Sequence, residues 1–388
     1  MGNLFENTEN AFVLKSDSEL ERAHFLFRMI ANEPLVRIGT AVTNFAIKAH
    51  LPVDGLIRAT VFDHFCGGIN EEDCLPVVDK MFSKGVCSVL DYSVEGKEDE
   101  AHFDGALEKT LKLLEFVKEK DAIPFAVFKP TGFGRFGLYQ KLTEGQSLTT
   151  EEQAEWERVE SRFDIVCSKA EKMGVSLLID AEESWMQDAA DELVERLMRK
   201  YNTKRTVVCN TLQMYRWDRM EYLKDQHEKA NVGGYRIGYK LVRGAYMEKE
   251  NARAKANGYA TPICDSKEST DKNFDTALRY VLDNLDTISL FAGTHNEESS
   301  LLLVDLMAEK GIENEDLRVW FGQLYGMSDH ISYNLSQSGY NVAKYLPFGP
   351  VRDVMPYLIR RAEENTSVAG QTSRELELIQ REKARRRT

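Results

Sequence analysis

The rhythm of apolar and polar positions changes once along the chain, near residue 85. Before it, Ala23, Phe27, Met29 and Ile30 recur at helical spacing, and the apolar residues of 35–51 do the same. Residues 1–84 are therefore predicted as an N-terminal helical segment. From Gly85 onward, short β-branched or apolar runs alternate with longer amphipathic stretches. Eight such runs stand at 85–90, 124–129, 175–179, 205–210, 237–242, 288–293, 317–322 and 340–346.

The intervals between runs carry helix punctuation. The stretch 150–173 starts after Thr149 and Thr150, has Glu151 and Glu152 in its first turn, and stops at Gly174. Gly311 and Gly339 give the same stop signal ahead of the next strand. Strands that alternate with helices pair in parallel through crossovers, and eight repeats is the number that closes a barrel. The prediction is an α/β fold, a (β/α)8 TIM-like barrel over 85–368, followed by a polar, charged tail over 369–388.

In such a barrel the chemistry sits at the carboxyl ends of the strands. That rule selects Lys129 after the second run, Asp180, Glu182 and Glu183 after the third, and Gln213 after the fourth. It also selects Lys240, Arg243 and Tyr246 around the fifth, Thr294, His295 and Asn296 after the sixth, and Tyr345 in the eighth. Each alone reads equally well as loop polarity, but with FGQLYGM at the end of the seventh run, seven strand ends with polar groups point to a shared site. The helix at 350–365 adds Tyr357, Arg360, Arg361 and Glu364 within about 100° of one face. Arg360 and Glu364 are spaced for an i, i+4 pair. The face reads either as a solvated salt-bridge stripe or, with Lys129, as a clamp for a ligand carboxylate.

Two apparent signals are set aside. Gly132, Gly134 and Gly137 spell GxGxxG after a strand, but the following LYQKLTEGQSLTT reads as another loop, so a flexible glycine-rich loop at the barrel mouth is expected rather than a dinucleotide fold. His295 has no metal-ligand partner near it in sequence and fits a phosphate or cofactor hydrogen bond better than a general base. No serine or cysteine nucleophile context is present.

Composition narrows the classes. A net charge of −13 argues against nucleic acid as a partner. The basic run at 381–387 reads as a solvated terminus, with an anionic lipid or partner contact as the alternative. The six cysteines are scattered without a CxxC pair, so neither a zinc site nor a disulfide framework is indicated. With no secretory or transit pattern at the N-terminus and no transmembrane-length apolar run, the expected home is cytoplasmic, with any membrane contact peripheral at the inner membrane.

The segments FKPTG, LLIDAEE, KLVRGAY, GTHNE, FGQLYGM and YLPFGPVRDVMPYLIRRAEEN, taken in order, resemble the proline dehydrogenase family over most of 85–368. The resemblance implies a barrel with non-covalent FAD that oxidises L-proline to Δ1-pyrroline-5-carboxylate and passes electrons to a membrane quinone. It implies that Lys129, Arg360 and Arg361 clamp the substrate carboxylate while Glu364 fixes the arginines. Tyr246, Leu324, Tyr345 and Tyr357 would wall the pyrrolidine ring, and Asp180 and Lys240 would stand at the catalytic centre. Ala181, Gln213, Arg243, Gly244, Ala245, Thr294 and His295 match cofactor-contacting positions, with Lys267 a weaker match for the FAD phosphates. Lys240 departs from the arginine of many bacterial members, which bears on flavin tuning. The chain lacks the aldehyde dehydrogenase domain of some members and so reads as monofunctional. The rival readings are a relative preferring hydroxyproline and a barrel flavoenzyme of the methylenetetrahydrofolate reductase type.

Overall fold

The computed structural model describes residues 4–32, 34, 36, 39–41, 54–93, 98–367 and 371–387; the side chains of 54, 56, 59, 362–367, 371 and 372 lie outside that description. Most of the apolar stretch 35–51, expected to be helical, also falls outside it.

Eight strands, β1 (Val86–Tyr92), β2 (Phe125–Phe128), β3 (Ser176–Ile179), β4 (Val208–Gln213), β5 (Ile237–Val242), β6 (Ile288–Gly293), β7 (Val319–Leu324) and β8 (Val342–Phe348), form a closed barrel in sequential order. β2 is buried at every position, which is why its run reads as continuously apolar rather than alternating, and β8 is buried throughout although it carries Lys344. Seven of the eight runs coincide with their strand to within two residues at each end. β4 starts three residues later than expected, because the Asn202 side chain accepts from the amides of Val207 and Val208 and holds the chain before Val208 in a loop. β8 begins and ends two residues later than its run.

The chain divides into two compact units. In Gly96–Gly322, the helix Thr150–Met173 opens on a capping box between Thr149 and Glu152 and ends at Gly174 in the left-handed conformation, φ 77°. Asn296 caps the helix Glu297–Glu309 by accepting from Ser299 N. The stretch after the glycine motif is not a loop: Phe136–Thr143 is a helix, with Leu138 and Tyr139 fully buried. Its eight residues are too few to show a clear helical period in sequence.

In the unit formed by Met1–Glu95 and Gln323–Thr388, the expected polar tail is a helix, Gln371–Arg385. Leu378 and Ile379 from this helix pack with Phe12, Leu20, Ala23 and Phe27. The basic run is likewise engaged within the chain. Arg374 and Arg381 both bind Glu6, Lys383 pairs with Glu21 at 2.7 Å, and Arg386 donates to Asp17 and to the carbonyls of Phe12 and Lys15. No helix among the described residues is long and apolar enough to cross a membrane.

Candidate active site

In Gly96–Gly322 the strand ends carry a connected polar network. Asp180 follows β3 directly, and its amide donates to the carbonyl of Phe128 at the end of β2. Lys240 lies within β5, opposite Thr211 of β4, with only 7% of its side chain exposed, and its ammonium is bonded to the Asp180 carboxylate. A lysine can be buried here because the carboxylate offsets its desolvation.

Gln213 closes β4 and is buried. Its amide nitrogen donates to the carbonyl of Glu182 at 2.7 Å, and its oxygen accepts from Ala245 N at 3.3 Å, so both ends of the amide are oriented. Ala181 lies between Asp180 and Glu182. Arg243 follows β5 and donates to Asp271 (2.7 Å), Thr294 (2.7 Å) and Ser299 (3.0 Å), with its guanidinium over the Phe274 ring. Gly244 has φ 137°, and a Cβ there would stand 2.6 Å from the Tyr215 ring, so this position requires glycine. Tyr246 precedes the helix Met247–Asn257, with the Lys249 ammonium 5.5 Å from its ring centre. His295 is half-buried beside Thr294. Lys267 is exposed and pairs with Asp271 four residues on, at 2.6 Å.

Lys129 leads into the turn Pro130–Gly132, and the expected flexibility of the loop after it is not what the structure shows. Thr131 donates from its amide (3.0 Å) and hydroxyl (2.7 Å) to Glu182, the Tyr139 hydroxyl donates to the Pro130 carbonyl (2.8 Å), and Arg162 donates to the Phe133 carbonyl (3.0 Å). Of the three glycines, only Gly134 is sterically required: a Cβ there would meet Val159 at 2.5 Å, whereas Gly132 and Gly137 face open space. The motif is a packing device.

Two participants were undervalued in sequence. Asp271 joins Arg243 to Lys267, and its only sequence signal is the i, i+4 spacing to Lys267. Glu182 accepts from Thr131 through both carboxylate oxygens while its backbone bonds Gln187 and Gln213. Burial raises its carboxyl to about 7, although the Thr131 donors and the Lys129 charge pull the other way.

The remaining candidates belong to the other unit. Leu324 ends β7, and Tyr345 lies within β8 at 8% exposure, its carbonyl accepting from Tyr325 N at 2.8 Å. The helix Met355–Ser367 buries Tyr357 and Leu358 in a core with Met327, Val351 and Val354. Arg360 and Arg361 are half-buried, and the Arg361 guanidinium stacks over the Tyr357 ring at 5.2 Å, the i, i+4 geometry of one helical face. The side chain of Glu364 lies outside the described residues, so its expected pairing with Arg360 does too.

Comparison with known proteins places this arrangement in a family. Residues 74–374 match the proline dehydrogenase family. The carbapenem antibiotics biosynthesis protein CarD of Pectobacterium carotovorum is 37% identical over 90% of this chain and 91% of its own length. Proline dehydrogenase 2, mitochondrial, of Arabidopsis thaliana is 32% identical over 85% of this chain and 79% of its own. The chain spans 40% of the length of proline dehydrogenase 1, mitochondrial, of Homo sapiens, at 41% identity over 62% of this chain. Among solved structures, proline utilization A from Bdellovibrio bacteriovorus superposes with a TM-score of 0.72 over 95% of this chain and 37% of that one, at 22% identity, which speaks to the fold. With most of its barrel matched and its fold shared, this chain belongs to the proline dehydrogenase family, a family of flavin oxidoreductases.

Proposed function

We propose that this chain is an FAD-dependent proline dehydrogenase that oxidises L-proline to Δ1-pyrroline-5-carboxylate and passes the electrons to a quinone. The observation that carries the reading is the buried Lys240–Asp180 pair set among oriented donors at the ends of β3 to β6. Those donors suit a flavin nucleotide. An amide held at both ends, a buried ammonium and a guanidinium match the polar edge and the pyrophosphate of such a group. Gln213, Lys240, Arg243, Gly244, Ala245, Thr294 and His295 would hold it, and when bound it supplies the two-electron acceptor.

The protein's own part is positional and electrostatic. Lys240, oriented by Asp180, sets a positive charge where negative charge develops during the reaction. Arg360 and Arg361 bind the substrate carboxylate, which fixes the ring so that the carbon on the far side of the nitrogen reacts. Losing a hydride from that carbon and a proton from the nitrogen leaves the C=N bond of the product. Leu324, Tyr345 and Tyr357 wall the ring and keep water from it. Lys129, at the end of β2, is retained as a candidate for binding substrate, and Lys267 is assigned no role beyond supporting Asp271.

The test is the visible spectrum of the purified protein. Flavin bands that bleach anaerobically on adding L-proline support the reading, and a colourless protein that binds no added FAD overturns it. Bleaching by methyltetrahydrofolate instead would select the reductase alternative, and equal kcat/KM for proline and 4-hydroxyproline the hydroxyproline one. Transfer of electrons to a short-chain quinone in preference to oxygen tests the acceptor. The likeness to the carbapenem biosynthesis protein over nearly the whole chain favours one further setting, in which the same ring oxidation feeds synthesis rather than breakdown. Growth of a deletion strain on proline as nitrogen source separates the two.

A further inference from the structure

Under the turn that follows β7 lies a buried charge cluster supplied partly from outside the barrel. Lys344, on β8, has a fully buried side chain whose ammonium donates to the Met327 carbonyl at 2.6 Å and pairs with Asp329 at 2.8 Å. The other carboxylate oxygen of Asp329 pairs with Lys15 at 3.1 Å, a residue of the N-terminal segment. Burial alone would raise the Asp329 carboxyl, but the two lysines hold it well below the usual carboxylate range.

The turn itself is pinned at four consecutive positions. Tyr325 N donates to the Tyr345 carbonyl at 2.8 Å, and the Gly326 carbonyl is bonded to His64 Nε2 at 3.0 Å. The Met327 carbonyl takes the Lys344 bond, and Ser328 N donates to Glu375 at 2.5 Å. Glu375 belongs to the helix Gln371–Arg385 and is itself buried. Ser328 has φ 51°, the only positive φ at a non-glycine among the described residues. A conformation of that kind persists where the surroundings over-determine it. A short surface turn could be satisfied by water alone. Here His64 from the segment before β1, Lys344 from β8 and Glu375 from the C-terminal helix hold it instead, and Lys15 of the N-terminal segment acts on it through Asp329, the partner of Lys344.

The turn joins directly to Leu324, and Lys344 is the neighbour of Tyr345. We infer that Lys15, His64, Lys344 and Glu375 act together as positioning residues that fix Leu324 and Tyr345, and thereby decide which ring substituents the enzyme accepts. This rests on the assignment of Leu324 and Tyr345 to the ring wall under the proposed function. The two ends of the chain are thereby part of substrate selection through the turn they hold.

The test compares Glu375→Ala, Glu375→Gln and Lys15→Met in the full-length protein. It measures kcat/KM for L-proline and 4-hydroxyproline, flavin absorbance, and amide hydrogen exchange over 325–328. Glu375→Ala and Lys15→Met are expected to lower the preference for proline about three- to tenfold, the range a lost hydrogen bond allows, mainly through KM and with flavin content unchanged. Exchange at Ser328 should quicken in Glu375→Ala. Glu375→Gln keeps an oxygen that accepts from Ser328 N and should restore the preference. An unchanged preference, or a fall for both substrates in proportion to flavin content, overturns the inference. Should Glu375→Ala fail to fold, Lys15→Met carries the comparison. If proline does not bleach the wild-type flavin, the functional reading fails instead, and unchanged exchange over 325–328 in Lys15→Met would then remove the positioning role as well.

Discussion

Inside the barrel the Lys240 ammonium is paired with the Asp180 carboxylate, and that pairing makes both residues sensitive to substitution. Lys240→Met leaves a carboxylate partly buried without its cation. It is expected to lower the unfolding free energy by about 3 kcal/mol and the rate of flavin reduction by proline by about tenfold or more. Stopped-flow bleaching and denaturant unfolding read the two effects separately. Glu182 makes a pH prediction. Its carboxyl is raised from 4.5 to about 7 by burial, so the folded state holds the proton more tightly than the unfolded chain. The stability it contributes is full below pH 4.5 and is lost as pH rises through 7, a change of about 3 kcal/mol. Glu182→Gln should remove that slope, so the variant gains stability relative to wild type between pH 5 and pH 8 in parallel unfolding curves; equal slopes would count against it. At Arg360 and Arg361, replacement by Met is expected to raise KM for proline by about tenfold or more with FAD content normal, since each would remove a charged carboxylate partner. Loss of flavin instead would move these residues to the cofactor.

At the scale of elements, the glycine motif after β2 shows how a pattern can be present for another reason. Gly134 is needed because Val159 stands 2.5 Å from where its Cβ would be, while Gly137 lies at the start of a helix with open space around it. Gly134→Ala should therefore cost about 1–3 kcal/mol, whereas Gly137→Ala should be neutral or stabilise by up to about 1 kcal/mol. Thermal or urea unfolding of the pair is the check. The strands were legible because most of their positions are apolar and buried, and the long helices because their caps and stop glycines are local. The helix Phe136–Thr143 was not, being only two turns long. The C-terminal helix was hidden by its charge: Leu378 and Ile379 are buried, but arginines, lysines and glutamates surround them in sequence. Leu378→Ala is expected to cost about 2–5 kcal/mol, as a truncation in a packed cluster does.

For the molecule as a whole, a cofactor that binds only the folded chain adds to its stability by mass action, about 2.7 kcal/mol at a hundredfold excess over Kd. The melting temperature should climb with added FAD and stay flat with added NAD; the reverse would contradict the cofactor assignment. The number of strands, their order and the family were all readable from the chain, because burial of most strand positions imposes a local apolar run and the family's strand-end motifs are contiguous. Tertiary structure decided which of the strand-end groups meet. Lys240 and Asp180 are 60 positions apart, and only the register of β3, β4 and β5 brings them together. The same holds for Thr131 with Glu182, and for the basic C-terminal run with Glu6, Asp17 and Glu21. Periodicity is a property of neighbours along the chain, while ion pairs and buried hydrogen bonds depend on distances that exist only once the barrel closes and the two ends pack on each other.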